Sequence, residues 1–395
     1  MDSHEMLLSF AYIALLIAGA KLFGHLSSRV AMPPIVGKIA TGIILGPALL
    51  NLVHDTPLVA GFAEVGVILL LFLAGLETDI DSLRANFKSS FVVAVIGVVL
   101  PFIGGWAVGL LYGFEQLQSF YIGTLLVATS VSISVQTLRE LNYLRSKEGV
   151  TVLGAAVIDD ILGLITLTVV LGMSGTAAAS AGGAVDLAWK IPAFFVALFL
   201  VGRFLVPPIL NYAQRFQVSA PLFAIAVAIA LLTAYLTEAV FGIEPIIGAY
   251  LMGLMISLTP HHGPIYARLE EIASTVFVPV FFGSIGLVAT FSGFGPYLGL
   301  FSLLFIVAIL GKWLAGIWGG RMTGLSPLSS RIVGASMVSR GEVGLIVAAI
   351  GLHEQIISAE LYTVMVLISI TTSLVTPILL KLVVPKNPPS PAGTS

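Results

Sequence analysis

The 395-residue chain is 58% hydrophobic and only 10% charged, with a formal net charge of −2 and no cysteine. Soluble domains carry roughly a quarter of their residues as Asp, Glu, Lys and Arg, so this composition, with a mean hydropathy of +1.07, excludes a soluble globular enzyme, a disordered chain and a nucleic-acid binder. The missing cysteines also exclude disulfides, thiolate metal sites and cysteine nucleophiles, leaving an all-α polytopic membrane protein.

A helix crossing the hydrocarbon takes about 20 mostly apolar residues. The chain offers thirteen such stretches in order: 6–24, 30–52, 58–76, 89–111, 118–138, 149–172, 187–206, 219–237, 243–258, 269–289, 297–320, 331–351 and 360–382. The first is no cleaved signal, having no basic segment ahead of it and too long an apolar run. The second and ninth are short or punctuated by Pro and Gly. Cytoplasmic loops collect Lys and Arg. With the N-terminus outside and the C-terminus inside, the inside segments hold Lys21, Arg29, Arg84, Lys88, Arg139, Arg145, Lys147, Arg203, Arg215, Arg268, Arg321, Arg331, Lys381 and Lys386. Of the 18 basic residues, only Lys190 falls at an outside end, while Lys38, Lys312 and Arg340 lie within spans.

An internal repeat organises the spans. Pro34-Ile35-Val36-Gly37 with Gly42 recurs 211 positions on as Pro245-Ile246-Ile247-Gly248 with Gly253, and Gly75-Leu76 falls on Gly286-Leu287. The same offset lays the first, fifth and sixth spans on the eighth, twelfth and thirteenth. Seven spans separate equivalent positions, so the second six-helix copy enters the membrane inverted, with the seventh span as linker. Inverted repeats mark secondary transporters, whose substrate sites lie near the midplane where the copies meet. Chance matching of short apolar stretches is the competing explanation.

Charges inside a bilayer are costly, by roughly 2.5–3.5 kcal/mol each on the mildest scale, and ask for a reason. Asp159-Asp160 stands mid-span. Neighbouring residues point about 100° apart on a helix, so the two carboxylates face different partners in one cavity. Such a carboxyl takes either a proton or a hard cation, which is all that exchange of one for the other requires. Lys312, also mid-span, is expected to pair with one Asp of the doublet, as a switchable ion pair or as a static one. Two spans have polar centres: Ala128-Thr129-Ser130-Val131-Ser132-Ile133-Ser134 and, at the same offset, Ser339-Arg340-Gly341-Glu342. Both read as helices unwound at midmembrane, which is tolerated where backbone lines a cavity; ordinary hydrogen bonding between helices is the alternative. Arg340 and Glu342 would neutralise the broken helix ends or pair with each other. Glu64 and Lys38 are candidates for lining a cytoplasmic or external funnel, or for simply pairing off; Glu244 reads as interfacial, and His25, His261 and His262 fall in inside loops. No metal-protease, phosphate-loop or dinucleotide motif stands in context.

Together, Gly154-Ala155-Ala156-Val157-Ile158-Asp159-Asp160, Ala128-Thr129-Ser130, Gly311-Lys312 and Ser339-Arg340-Gly341-Glu342-Val343-Gly344-Leu345 resemble bacterial Na+/H+ antiporters of the cation:proton antiporter superfamily, in the branch with an Asp-Asp doublet. The similarity runs essentially the whole chain. It implies a transporter, not an enzyme, of the inner (plasma) membrane. It needs no cofactor and exchanges Na+ or Li+, and in one alternative K+, for protons. Scaffold helices at 1–87 would dimerise the protein, with core helices at 88–172, linker and scaffold helices at 173–294, core helices at 295–384 and a disordered cytoplasmic tail at 385–395. By position, Asp160 is the implied principal Na+ ligand, helped by Thr129 and Ser130, and Asp159 pairs with Lys312. The Pro-rich tail departs from glutathione-gated K+ efflux relatives, which continue into a large nucleotide-binding domain. A solute–cation symporter on a similar fold, and a non-transporting receptor with structural buried charges, are the rival classes.

Overall fold

The structure is a computed structural model that describes residues 3–30, 32, 34–173, 183–288 and 295–385. The expected tail at 385–395 therefore lies, but for Pro385, outside the described residues. In chain order the helices are α1 (Ser3–Arg29), α2 (Pro34–Leu45), α3 (Pro57–Glu77), α4 (Ile80–Leu111), α5 (Gln116–Val127), α6 (Val131–Glu140), α7 (Lys147–Met173), α8 (Gly183–Leu200) and α9 (Val206–Ala213). They continue as α10 (Pro221–Phe241), α11 (Pro245–Ser257), α12 (His262–Ile272), α13 (Val278–Leu287), α14 (Leu298–Met322), α15 (Pro327–Ser336), α16 (Glu342–His353) and α17 (Ala359–Val383). Ten helical runs among the described residues are long and apolar enough to cross a membrane, so this is a multi-pass membrane protein.

Local chemistry sets the helix ends. Thr56, Asp79, Ser326 and Ser358 accept hydrogen bonds from Val59, Ser82, Ser329 and Leu361, satisfying first-turn amides of α3, α4, α15 and α17. Asp79 makes α4 begin at Ile80, nine residues ahead of the apolar stretch that announced it. Pro207 and Pro208 lack the amides that continue a helix, and the turn ahead of them, Val201–Leu205, widens to a π turn. Pro279 stands just after a second π turn at Ala273–Phe277.

The second and ninth expected spans are single unbroken helices too short to cross as ideal ones. α2 has 12 residues and α11 has 13, a rise of about 18–20 Å against a hydrocarbon core of about 30 Å. Their ends must therefore be closed by protein. α2 lies in the groove of α13, where Gly42 and Gly286 bring the two backbones into contact, and α11 lies against α3 through Gly253 and Gly75. A side chain at any of these glycines would collide with the facing main chain.

Packing separates the helices into two groups. α4, α5, α7 and α14 to α17 pack on one another, and α1, α2, α3, α10, α11 and α13 do likewise. α6 reaches across, touching α7 and α17 of the first group and α2 and α3 of the second. Ser9 of α1 meets Thr56 ahead of α3 at 2.9 Å, so α1 and α3 start on the same face, hereafter the N-terminal face.

Candidate ion-binding site

The fifth and twelfth expected spans are each two short helices joined by unwound backbone: Ala128, Thr129 and Ser130 between α5 and α6, and residues 337–341 between α15 and α16. The two breaks cross and bond to each other. The Ser130 amide donates to the Ser339 carbonyl at 2.8 Å, and the Ser339 hydroxyl donates to the Ser130 carbonyl at 2.7 Å. Ser134 also donates to the Ser336 carbonyl. These bonds satisfy main-chain groups that lipid could not. Four half-helix ends meet here, two negative and two positive. Buried Arg340 answers the negative ends: its guanidinium donates to Leu126 O, in the last turn of α5, at 2.7 Å and to Val338 O, just beyond α15, at 2.8 Å. Glu342 opens α16, but its side chain lies outside the described residues.

Asp159 and Asp160 sit midway along α7, their side chains about 100° apart around the helix. Lys312 of α14 donates to both oxygens of Asp159, at 2.7 and 2.8 Å, with the two side chains 0% and 1% exposed. Gly97 of α4 leaves space beside this pair. Asp160, 9% exposed, borders a cavity of about 130 Å³ together with Asp159, Thr124, Ala128, Glu244 and Val343. It also borders a small void beside Val131 and Tyr250. Asp160 is thus close to the first residue of α6 and the second of α16, the positive ends that Arg340 leaves uncompensated.

The cavity at Asp160 shares Gly242, Glu244 and Ile346 with a wider one of about 600 Å³, which also takes in Asp55, Glu64, Glu238 and Ser284. Asp55 precedes α3 and Glu64 lies in its first half, Glu238 is near the end of α10, Glu244 stands at the start of α11 and Ser284 is near the end of α13, so the path to Asp160 opens on the N-terminal face. Burial pushes the Asp55 carboxyl above the ordinary aspartate range.

Toward the opposite face the path is shut. Tyr250, 2% exposed, stands between the small void at Asp160 and Thr78, to which its hydroxyl donates at 3.4 Å. Beyond Thr78 lies a third cavity of about 440 Å³, lined by Glu77, Arg145, Ser257 and His262 among others. Beside it, Glu140 at the end of α6 accepts from Lys38 at 2.9 Å, from Gln136 at 2.9 Å and from the Ile35 amide at 3.3 Å. Arg139 reaches Glu77 and Glu270, each at 3.1 Å, and the Tyr266 hydroxyl at 2.6 Å; Tyr266 in turn donates to Glu77.

The structure therefore brings Asp159, Asp160, Lys312, Arg340, Thr129 and Ser130 to one crossing and sets Glu64 in the approach. Lys38 is held by Glu140 at the closed side. The Thr129 hydroxyl bonds the Val127 carbonyl at 3.3 Å, and the Ser130 hydroxyl is 3.0 Å from that of Ser132. Sequence reasoning missed Thr124 and Glu244 beside Asp160. Thr124 lies one helical turn before the Ala128 break, a spacing that points to the same helix face. Glu244 adjoins the repeated Pro245-Ile246-Ile247-Gly248 motif, its one sequence cue.

The chain as a whole, rather than this site alone, has counterparts among known proteins. Residues 12–386 match the sodium/hydrogen exchanger transmembrane family, and the chain belongs to it. It is 42% identical to the Na+/H+-K+ antiporter GerN of Bacillus cereus, over 94% of this chain and 95% of that one. It is 35% identical to a Na+/H+ antiporter of Enterococcus hirae, over 93% and 96%. Its fold matches the sodium proton antiporter MjNhaP1 of Methanocaldococcus jannaschii with a TM-score of 0.72 at 17% identity, covering 96% of this chain and 97% of that one.

Proposed function

We propose that this protein is a secondary antiporter that exchanges Na+ or Li+ for protons across the bacterial inner membrane, with Asp160 carrying either ion in turn. The observation that carries this reading is the placement of Asp160: buried at the crossing of two broken helices, on a cavity that joins the wide one opening on the N-terminal face, beside an Asp159 already claimed by Lys312. Its family membership and the names of its relatives agree. The thirteen expected spans form two inverted six-helix copies with the α8–α9 region as linker. The contact of α2 with α13 and that of α11 with α3 use glycines related by the 211-residue offset, as a two-fold exchange of copies requires. The group containing α4–α7 and α14–α17 is the moving core, and the rest is a dimerising scaffold. The N-terminal face is outside, because the opposite one holds Lys38, Arg139 and Arg145.

In the cycle, Na+ displaces the proton of Asp160 and draws on Asp159, freeing Lys312. An amine released from its counter-ion can lose its own proton, whereas arginine keeps it; two protons then leave for one Na+, and exchange is electrogenic. K+ at the same site is a second reading, favoured by the Na+/H+-K+ name of the 42% identical relative.

The test uses proteoliposomes with an entrapped pH dye and an imposed proton gradient. Na+ and Li+ are expected to collapse the gradient, at a rate that responds to a clamped membrane potential; K+ doing so would widen the substrate range. Asp160→Asn should abolish the response while the protein folds and inserts normally. Full exchange by that variant would sink the site assignment. Silence of the wild-type protein toward all three ions would turn the reading to a symporter or receptor.

A further inference from the structure

Glu244 occupies a place that no other carboxylate shares among those lining the two cavities. The wide cavity holds Asp55, Glu64 and Glu238, the inner one holds Asp159 and Asp160, and Glu244 alone borders both, at the neck formed with Gly242 and Ile346. It is half-buried at the start of α11, whose glycine contact fixes it to α3. Asp160, in contrast, is carried by α7, which packs with α4 and α5. A cation moving from the N-terminal face to Asp160 therefore passes a negative charge that belongs to the other group of helices.

We infer that Glu244 is a cation-relay residue for the exchange reaction: a scaffold carboxylate that raises the occupancy of the neck and hands the ion to Asp160 in the outward-open state only. The inference rests on the antiport reading. Its physical content is a difference between the two sides of the membrane. When the core carries Asp160 toward the opposite face, Glu244 stays with α11 and its charge is left behind. The apparent affinity for Na+ should be raised by Glu244 from outside and not from inside, whereas a residue that merely supports the fold would weaken both sides or the turnover number.

The experiment compares right-side-out and inside-out membrane vesicles from cells lacking other Na+/H+ exchangers. Na+ is titrated on the exposed side at saturating proton gradient. Glu244→Gln is expected to raise the outside KM about tenfold, the scale of one screened charge at the entrance to the site. The inside KM and kcat should stay within about twofold. Glu244→Asp, which keeps the charge, should recover most of the loss and stands in if the Gln variant fails to insert. Glu64→Gln, which changes the wide cavity only, should shift the outside KM far less. Unchanged KM on both sides, an equal rise on both, or an equal effect from Glu64→Gln would each overturn the relay. Absence of exchange in wild-type vesicles would instead remove the antiport reading.

Discussion

Lys312 and Asp159 place two formal charges in full burial, where each loses its hydration and only the other's proximity offsets that loss. Removing one partner leaves an uncompensated ion. Lys312→Gln should therefore destabilise the protein by about 3–5 kcal/mol, visible as a lowered melting temperature in detergent. Asp159→Asn combined with Lys312→Gln should melt above the Lys312→Gln single variant, since neither ion is then left alone. If the double variant melted below it, a buried Asp159 left without its cation would not be the source of the loss. These residues were legible in the sequence because a charge inside a long apolar run has few explanations. Glu244 was not: it stands between two apolar runs, where a carboxylate at the water interface looks the same as one folded back over a cavity.

Among the elements, α6 holds the closed side shut. Its last two residues, Arg139 and Glu140, grip α2, α3 and α12 through Lys38, Glu77 and Glu270, while the start of α6 belongs to the crossing beside Asp160. One short helix thus ties the site to the gate, and in the proposed cycle that gate releases before Asp160 faces the other way. The chain has no cysteine, so Lys38→Cys with Glu140→Cys can be bridged cleanly by a short bifunctional methanethiosulfonate. Exchange is expected to stop on bridging and to return with reductant; undiminished exchange in the bridged protein would show that α2 and α6 need not part. The helix breaks themselves were readable from the Ser/Thr run at 129–134 and from Ser339-Arg340-Gly341-Glu342, whose polar groups have no place in a continuous lipid-facing helix. What Arg340 bonds was open, because its acceptor Leu126 O lies 214 residues away and offers no sequence signal. The ion pairs of α6 were hidden for the same reason: Arg139 and Glu140 end one apolar run and Glu77 another, while Lys38 and Glu270 lie within others.

At the scale of the whole molecule, cavities lie toward one carboxylate from opposite faces, and of these the one at the N-terminal face joins the inner cavity that borders Asp160. The wide cavity and the inner one meet at Glu244, whereas the third stops at Thr78, with Tyr250 closing the last step to Asp160. This asymmetry makes sidedness measurable. Ser284 lines the wide cavity and Ser257 the third one, and neither side chain is fully buried. Ser284→Cys is expected to react with a membrane-impermeant thiol reagent added outside intact cells, and Ser257→Cys only in inside-out vesicles. The prediction combines two independent arguments: chain direction puts the residues on opposite faces, and the basic residues Lys38, Arg139 and Arg145 assign the Ser257 face to the cytoplasm. Both cysteines labelling from one side would refute the placement of the cavities, and each labelling from the wrong side would refute only the orientation. The bridged Lys38→Cys, Glu140→Cys protein should keep the Ser284→Cys reaction unchanged, because the crossing stays in the state already open to that face.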